Sequence, residues 1–553
     1  MFSKDYIPKT IQCFKEGYSW SFFSKDLIAG ISVGIISVPL ALAFAIASGV
    51  TPERGLFTAI VAGFLISLLG GSRVQIGGPT GAFVVIVYGI VQRHGYEGLA
   101  IATLMAGIMM IIMGLARFGI LLKFIPYPVT TGFTAGIALV IFSSQIKDFL
   151  GLELDKLPPE FLEKCGIYCQ FIHTWNPSAL AISMSVLASM FLMRKYLPRL
   201  PGAIIAIIAA TACAHFFNLP IETVQSKFGD LPSSLPVPSL PSLTWEKIQL
   251  LFPDAISILL LGAIESLLSA MIADGLTGHK HRSNCELIAQ GFANIGSVIF
   301  GGISATGAIA RTSANIRLGA KTPVAGMVHA LTILLLMLFF APFAAKIPLA
   351  ALSGILIYVA WNMSELPHFF SILKGPKSEA VILLITFALT VLIDLTVALQ
   401  VGVILAAFLF LKKLTDNTTV EVCKVLLDEN EKEMSSEDDS DILFRKDVPE
   451  DVTIFELKGP FFYSVANILD ETLDSLEKKP KYFILRLRNV PVIDMTGIQA
   501  IKAFIKKCNK YQIQLLMTGA KPEVLKLFSK TKLDEVMGRQ MFMSCQTISY
   551  HRR

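Results

Sequence analysis

Charged side chains are scarce in this chain of 553 residues. Asp, Glu, Lys and Arg together make up 16% of the sequence, hydrophobic residues make up 53%, and the mean hydropathy is +0.62. An average soluble domain carries about 25% charged residues, so the composition excludes an ordinary soluble protein as a description of the whole chain. It indicates a membrane protein with many apolar segments and a smaller soluble part.

Cysteines and recognisable catalytic motifs are also few. The eight cysteines are scattered except for Cys165 and Cys169, whose CxxxC spacing permits a disulfide but does not establish one. No Cys/His spacing predicts a metal site, and no P-loop, Ser/His/Asp set or carboxylate pair predicts an ATPase or a hydrolase. The net charge of +6 comes from basic residues in short loops, which does not indicate a nucleic-acid surface. We therefore expect no enzymatic activity, no cofactor and no nucleic-acid partner.

Fourteen apolar runs follow one another between residues 27 and 411, and we interpret them as membrane-spanning segments. They cover 27–48, 54–70, 79–92, 97–116, 122–146, 177–193, 201–217, 252–276, 286–302, 306–319, 323–343, 347–363, 378–393 and 395–411. A spanning helix needs about 20 residues. The third and tenth runs are shorter and follow Gly/Pro/Ser-rich stretches, which is typical of broken helices that begin at the membrane midplane.

Basic residues concentrate on one side of this arrangement. Lys25, Arg117, Lys195, Lys280 and Lys412 all fall on the same side when fourteen spans are counted. The positive-inside rule then places both termini in the cytoplasm. The N terminus has no cleavable signal pattern, so residues 1–26 are expected to form a cytosolic N-terminal segment. The sequence predicts a multi-pass protein of a bacterial-type inner membrane, with the lipid bilayer as its surroundings.

The two halves of the membrane region, about 27–217 and 252–413, share short motifs at matched spacing. Pro39 lies 41 residues before Thr80 in a Thr-Gly-Ala triplet, and Glu265 lies 41 residues before Thr306 in another. Each half has an odd number of spans, so the second half must enter the membrane in the opposite direction. The sequence therefore predicts a 7+7 inverted repeat with a binding site between the paired short helices.

The composition changes after the membrane region. Residues 414–445 are predicted to be an acidic linker, because the segment DENEKEMSSEDDSD is strongly charged. Residues 446–553 alternate strand-like and amphipathic helical patterns, which predicts a small cytosolic α/β domain.

The chain resembles the SulP anion transporters, the bacterial relatives of solute carrier family 26, over nearly its whole length. The resemblance is carried by TPERGLFTAIVAGFLISLLGGSRVQIGGPTGAF at 51–83 and by the block at 265–326. VPVIDMTG at 490–497 resembles a STAS domain, the fold shared with anti-sigma-factor antagonists. Within the family, GAIESLL, ADGLTGHKH, GGISATGAIART and VAWNMSE are most similar to the bacterial C4-dicarboxylate and sulfate transporter subgroup. The resemblance implies a core domain, a gate domain, elevator-like movement and often a homodimer.

The candidate substrate site is the pair of segments that open the two short helices. Free backbone N–H groups and helix dipoles can bind a dianion there without a lysine, although small residues also serve close helix packing. Arg311 matches an arginine beside the anion site in family members, and it could balance the substrate charge or only pair with Glu265. Ala43 and Phe44 could line the pocket or only pack. The predicted substrate-binding residues are Ala43, Phe44, Thr80, Gly81, Ala82, Phe83, Thr306, Gly307, Ala308, Ile309 and Arg311.

Glu265 places a carboxylate inside an apolar run, and Ser269 follows one turn later. A charge in hydrocarbon costs about 2.5 kcal/mol or more, which favours the protonated carboxyl and allows Glu265 to carry a coupling proton. Sodium-coupled bicarbonate carriers of the family have aspartate and threonine at these two positions, and a threonine where this chain has Ile309. These departures favour proton coupling at Glu265 and Ser269. Sodium coupling and a static ion pair with Arg311 remain open.

Thr496 lies where the resemblance to STAS antagonists places a phosphorylated residue, although those proteins usually carry serine there. A phosphate would add two negative charges at a loop-to-helix junction. The alternative is that Thr496 is a helix N-cap. A cytosolic regulatory protein is a further expected partner at the STAS domain.

These observations predict a secondary active transporter that moves a small dianion, sulfate or a C4-dicarboxylate, together with protons. A dianion that enters with protons moves less net charge against the membrane potential, which costs about 2.3 kcal/mol per charge per 100 mV. The alternatives are a sodium-coupled bicarbonate transporter, an uncoupled anion channel or exchanger, and a signalling scaffold that works through the STAS domain.

Overall fold

A computed structural model describes residues 4–119, 126–154, 158, 160–196, 202–393, 395–416, 419–422, 451–459, 461, 473, 479–533 and 542–543. The chain divides into two compact units, Met1–Ala406 and Ala407–Arg553. The first is the membrane unit and the second contains the C-terminal α/β domain. Of the predicted acidic linker, residues 417–418 and 423–445 lie outside the described residues.

The first half of the membrane unit contains most of the predicted repeat one. Its elements are α1 (Lys9–Lys15), α2 (Trp20–Ala47), α3 (Pro52–Leu69), β1 (Gly77–Gly78), α4 (Gly81–Leu115), α5 (Tyr127–Leu150), α6 (Phe161–Phe171), α7 (Pro177–Tyr196), α8 (Gly202–Phe216) and α9 (Val224–Phe228). Helix α4 is broken at Gly95, whose φ of 66° is incompatible with a continuing helix. The break divides α4 into the third and fourth predicted runs.

The second half repeats the order of the first. Its elements are α10 (Trp245–Thr277), α11 (Ser283–Ile299), β2 (Thr306–Gly307), α12 (Ile309–Arg317), α13 (Val324–Ala345), α14 (Leu349–Met363), α15 (Leu366–Leu373), α16 (Lys377–Leu392) and α17 (Leu395–Asp416). Each half thus has two helices, a two-residue strand and a helix that begins after that strand. Helices α5 and α14 correspond as well, because proline precedes the first residue of each, at Pro126 and Pro348.

Every predicted run has a helical counterpart, and the polytopic helical fold is confirmed. Eight described segments are long and apolar enough to cross a membrane, and one of them is α14 together with α15. Of the other helices at predicted runs, α8, α11, α12 and α16 have 9 to 17 residues and α17 has 22. The sequence analysis did not predict α1, α6, α9 and α15, which have between 5 and 11 residues. Helices α6, α9 and α15 lie between predicted runs and α1 precedes the first run, so all four were interpreted as parts of connecting or terminal segments.

The membrane helices pack into two bundles. The core bundle consists of α2, α3, α4, α10, α11, α12 and α13, and the gate bundle consists of α5, α7, α8, α14 and α16. Helix α17 lies against the gate bundle, because Gly402 is close to Thr386 of α16 and Val129 of α5. A hydrophobic cluster joins the two bundles through side chains of α2, α3, α7, α8, α13 and α14, many of them alanines.

The predicted N-terminal segment, 1–26, is folded onto the membrane unit at its described residues. Helix α2 begins inside that segment, since Ser19 caps it by accepting a hydrogen bond from the backbone N–H of Phe22 at 3.3 Å. The Lys9 N–H donates to the Gly70 carbonyl at 2.9 Å, and Arg282 donates to the Ile7 carbonyl at 2.5 Å. The segment is therefore attached to the ends of α3 and α11.

The C-terminal domain is built on a five-stranded sheet in the order β3-β4-β5-β6-β7. Its described elements are β3 (Thr419–Val422), β4 (Val452–Lys458), β5 (Tyr482–Asn489), α18 (Met495–Lys510), β6 (Gln514–Thr518), α19 (Pro522–Lys530) and β7 (Phe542–Met543). β3 pairs antiparallel with β4, and the other neighbours are parallel. The first strand of the sheet thus lies within the segment that the sequence analysis interpreted as linker.

The start of α18 corrects one interpretation of Thr496. The N-cap is Asp494, whose side chain accepts a hydrogen bond from the Gly497 N–H at 2.7 Å. Thr496 is the second residue of the helix, so the interpretation of Thr496 as the N-cap is wrong. Phosphorylation at Thr496 stays a prediction.

Candidate anion site

Two short strands bring the openings of α4 and α12 together in the core bundle. β1 pairs antiparallel with β2, with Gly77 opposite Gly307 and Gly78 opposite Thr306. The pairing continues beyond the strands, since the Ala308 N–H donates to the Ile76 carbonyl at 2.8 Å. The main chain therefore fixes the two helix N-termini relative to each other, as predicted for paired short helices.

Helix α4 begins at the predicted triplet. Thr80 is its N-cap, in an extended conformation, and its side chain makes no capping hydrogen bond to the helix. In the described chain the N–H groups of Gly81 and Ala82 donate to no protein acceptor, whereas the Phe83 N–H donates to the Thr80 carbonyl at 3.2 Å. Unpaired N–H groups at a helix N-terminus carry partial positive charge and can bind an anion.

Gate helices close over this N-terminus. A β-carbon added at Gly81 would lie 2.9 Å from Met363 Sδ and 3.4 Å from both Ile141 Cδ1 and Phe44 Cε1. Phe44, predicted to line the pocket, is therefore close to the opening of α4. Ile141 and Met363 belong to α5 and α14, so the gate bundle contributes to the same place.

The second triplet differs from its prediction. Thr306 and Gly307 form β2 instead of opening a helix, and α12 begins two residues later, at Ile309, with Ala308 as its N-cap. The Thr306 hydroxyl donates to the Gly262 carbonyl at 3.1 Å, so it ties β2 to α10. The prediction that this triplet opens the half-helix is therefore wrong by two residues. Pairing with β1 holds Thr306 and Gly307 in an extended conformation, so the helix can start only after them.

Glu265 lies beside the opening of α4. Its Oε2 accepts a hydrogen bond from the Thr80 hydroxyl at 2.8 Å, and the residue is only partly buried. Thr80 itself is 8% exposed. The structure thus joins the N-cap of one half-helix, from the first repeat, to the intramembrane carboxylate of the second repeat.

Arg311 is buried against the strand pair, close to Gly78 and Pro79. Its Nη2 donates to the Pro79 carbonyl, while Nη1 has no hydrogen-bond partner among the described residues. Arg311 forms no direct ion pair with Glu265 in the part of the chain that the structure describes. The interpretation of these two residues as a static contact pair is therefore not supported. An unpaired guanidinium N–H next to two helix N-termini is suited to an anion.

Ser269, predicted to act with Glu265, contacts a different residue. It is fully buried, and its hydroxyl donates to Thr312 Oγ1 at 3.2 Å. Thr312 Oγ1 also accepts from the Ile76 N–H at 3.0 Å. Gln75 Nε2 donates to the Ser266 carbonyl at 3.1 Å. These bonds attach the strand pair to α10, so Ser269 holds the backbone that carries the site.

Two predicted substrate residues serve packing. The Phe83 side chain is 1% exposed and lies against α10, since a β-carbon at Gly262 would be 3.4 Å from its Cζ. Ala43 is fully buried in the cluster between the bundles. The sequence analysis missed Gln75, Thr312, Ile141 and Met363, which become recognisable only through the strand pairing and the bundle contacts.

Cysteines and metal-ligating groups do not form a further site in the described chain. Cys165 and Cys169 are both free and exposed on α6, so the structure contains no disulfide between them. No group of three or more His, Cys, Asp or Glu side chains is placed to hold a metal ion among the described residues.

Comparisons with known proteins agree with this geometry. The family model for the sulfate permease family matches residues 23–386, and the STAS domain model matches residues 444–548. The Bacillus subtilis (strain 168) protein YvdB, whose name provisionally describes it as a sulfate transporter, is 41% identical over 95% of this chain and 97% of its own length. The bicarbonate transporter BicA of Picosynechococcus is 30% identical over 92% of this chain and 90% of its own length.

Solved structures show the same fold. The anion transporter SLC26A9 from mouse, in its inward-facing state, superposes with a TM-score of 0.84 at 17% identity, covering 97% of this chain and 92% of its own. The transmembrane domain of a cyanobacterial BicA superposes with a TM-score of 0.63 at 29% identity, covering 69% of this chain and 98% of its own. The relatives are named as transporters, which confirms a transporter and not an enzyme. This chain belongs to the sulfate permease family, SulP/SLC26, and is a multi-pass membrane anion transporter with a C-terminal STAS domain.

Proposed function

We propose that this chain is a proton-coupled symporter of a small dianion, sulfate or a C4-dicarboxylate, bound at the N-termini of α4 and α12. The observation that carries the proposal is the hydrogen bond from Thr80 to Glu265 at 2.8 Å. It places the predicted proton carrier directly beside the N–H groups of Gly81 and Ala82. Proton and anion can then influence each other at one place.

The coupling follows from electrostatics. An ionised Glu265 puts a negative charge next to the helix N-terminus, where it repels an incoming dianion and occupies the Thr80 hydroxyl. Two unit charges about 4 Å apart interact by about 4 kcal/mol at an effective dielectric constant of about 20. A protonated Glu265 removes that repulsion, so anion binding and proton binding favour each other. Linkage makes this effect reciprocal.

Arg311 supports a dianion as the substrate. The residue is 4% exposed, and Nη1 has no hydrogen-bond partner among the described residues. A β-carbon added at Gly78 would lie 2.7 Å from that nitrogen, so the arginine lies directly against the strand pair. The arginine and two helix N-termini can balance two negative charges, with Glu265 neutral.

The packing between the two bundles supports elevator-type alternating access. The cluster that joins them consists largely of alanine and aliphatic side chains. Such contacts are non-directional and can be exchanged as one bundle slides along the other. The anion site belongs to the core bundle, while Ile141 and Met363 of the gate bundle cover it. Movement of the core bundle would uncover the site.

Transport by purified protein in liposomes tests the proposal. Labelled sulfate, succinate and bicarbonate are offered with an inward proton gradient, an inward sodium gradient, or neither. We expect the proton gradient to drive uptake of one dianion, and Glu265→Gln to abolish that drive while counterflow of the anion continues. Glu246→Gln, at an exposed position of the same helix, is the control and should behave as wild type. Uptake that follows sodium alone, or a Glu265→Gln variant still driven by protons, would contradict the proposal.

The remaining expectations belong to the same proposal. The distribution of Lys and Arg assigns both termini to the cytoplasm, and the resemblance to bacterial transporters implies a bacterial-type inner membrane. A homodimer and a regulatory protein at the STAS domain are expected from the family.

A further inference from the structure

A cavity of about 510 Å³ lies in the membrane unit beyond the opening of α4. Its walls come from the C-terminal ends of α2, α5 and α16, from α4 before its break, and from α6, α9 and α10. Ala47 and Val84 are among its lining residues, one turn beyond Phe44 and Gly81 respectively. The cavity therefore leads toward the anion site from the end of the membrane unit where α2 and α5 finish.

Most charged groups around the cavity are paired within the protein. Arg93 contacts Asp254 at 2.7 Å. Lys227 lies 3.8 Å from Asp148 and 3.5 Å from Glu222. These pairs satisfy each other and leave little charge for a ligand. Lys147, also in the wall, donates to the Leu154 carbonyl.

Lys164 differs from the other cations in the wall. Its side chain is 3% exposed, yet no carboxylate lies within 4.0 Å of its ammonium group in the described chain. Its Nζ is 5.7 Å from the centre of the Tyr88 ring. Burial lowers the pKa of Lys164, and the carboxylate of Glu160 one turn earlier opposes that shift only partly. A buried ammonium without a carboxylate is costly, and an anion in the cavity would relieve that cost.

Helix α6 is fixed so that Lys164 faces the cavity. Tyr168, one turn after Lys164, is buried and its hydroxyl donates to the Ser143 carbonyl of α5 at 2.8 Å. Lys164 and Tyr168 are the buried residues of this helix, so they define the face that packs on the membrane unit. The ammonium position is thus set by the contact between α6 and α5.

We propose that this cavity is a second anion-binding site, with Lys164 as its binding residue, where a small oxyanion or carboxylate is held before it reaches the N-terminus of α4. Sulfate and succinate both have the required chemistry, because each presents anionic oxygens to a single ammonium. The inference rests on anion transport, which the family establishes, and not on proton coupling at Glu265. It predicts that loss of Lys164 changes the KM for the anion and leaves the dependence of uptake on the proton gradient unchanged.

The test compares Lys164→Gln, Lys164→Arg and Lys346→Gln with wild type in proteoliposomes. Lys346 is the control because it is an exposed lysine that does not line this cavity. It lies near the cavity, since the carbonyl of its neighbour Ile347 accepts a hydrogen bond from the Val224 N–H of α9, a helix that lines the cavity. Initial uptake of sulfate, succinate and bicarbonate is measured at low and high ionic strength. Uptake is assigned to vesicles in which the cavity end of the protein faces outward. Their fraction is measured by quenching a fluorescent tag with an external quencher.

We expect Lys164→Gln to raise the KM for the transported anion about tenfold at low ionic strength, with little change in maximal rate. High salt should shrink the difference, because salt screens the lost attraction. Lys164→Arg should retain most of the wild-type KM, and Lys346→Gln should match wild type. An unchanged KM in Lys164→Gln would overturn the proposal. So would an equal loss in the glutamine and arginine variants, which would show that Lys164 only packs.

Discussion

Three carboxylates in the membrane unit differ in how many hydrogen bonds they accept from the protein. Glu286 is fully buried and accepts from the N–H groups of Gly71 and Ser72 at 2.8 and 3.2 Å and from Gln290 at 2.9 Å. Asp26, also fully buried, accepts from the backbone of residues 321 and 322. Among the described residues, Glu265 has one hydrogen-bond donor, the Thr80 hydroxyl. The residue with spare hydrogen-bonding capacity is therefore the one beside the anion site.

Replacing Glu286 with glutamine should destabilise the protein without changing what it transports. The amide can keep its one oxygen on the N–H groups of Gly71 and Ser72, but its NH₂ group then faces the Gln290 Nε2 donor, so a buried donor is left without an acceptor. The expected loss is about 1–3 kcal/mol, seen as a lower thermal unfolding midpoint in detergent. Glu153→Gln, at an exposed position, is the control. An unchanged midpoint for Glu286→Gln would show that the 70–72 turn does not depend on this carboxylate.

Sequence reasoning at the residue scale found the isolated carboxylate but not its partner. Glu265 is recognisable because a charge inside an apolar run is unusual. Thr80 lies 185 residues away, and only the pairing of the two halves brings its hydroxyl to Glu265. The same limit explains Thr306, which was predicted to bind the substrate and whose hydroxyl donates to the Gly262 carbonyl. Local sequence spacing does not predict the hydrogen-bond partner of either threonine.

At the scale of elements, the strand pair depends on glycines that leave no room for a side chain. A β-carbon at Gly307 would lie 1.6 Å from Gln75 Nε2, and one at Gly77 would lie 2.1 Å from Ile66 Cδ1. Gly78 adopts a φ of 148°, which disfavours other residues. The sequence indicated that small residues could serve close helix packing here, but it could not show that β1 and β2 pair or where α12 starts.

Gly78→Ala should impair transport more than it lowers stability. Its β-carbon would come within 2.7 Å of Arg311 Nη1, so the guanidinium must shift away from the strand pair. We expect uptake of the transported anion to fall at least tenfold, measured at equal reconstituted protein. The control is Gly275→Ala in α10, where nothing lies within 4 Å of the added carbon. It should be neutral or slightly stabilising, because alanine favours helix. Wild-type uptake by Gly78→Ala would argue against a role for Arg311 at the site.

For the whole molecule, hydrophobic runs predicted the order and approximate ends of the apolar helices, since every run has a helical counterpart. They succeeded because burial in lipid requires long apolar segments whatever their packing. The same signal does not detect short helices such as α1 and α6, since an 11-residue helix in a polar connection has no such requirement. It also carries no information on which helices form the core bundle and which form the gate bundle.

Free cysteines provide a test of the orientation of the whole membrane unit. Cys165 and Cys169 are exposed on α6, whereas Cys13 and Cys285 are buried near the opposite end. With both termini in the cytoplasm, a membrane-impermeant maleimide added to intact cells should label the chain, and Cys165→Ser/Cys169→Ser should lose that labelling. Permeabilisation is the matched comparison. If the double variant is labelled as strongly as wild type from outside, the assigned orientation is wrong.

The pairing of β1 with β2 has a consequence for how the two halves can diverge. The residue types at matched positions of the two halves can differ widely, as Glu265 and Pro39 illustrate. The lengths of the halves near residues 70–81 and 300–309 cannot change freely, because Gly77 must stay opposite Gly307 while Arg311 stays on Pro79. A one-residue insertion in either half would displace a helix that belongs to the other. At this point the two halves can therefore accept substitutions independently, but an insertion or deletion in one half requires a matching change in the other.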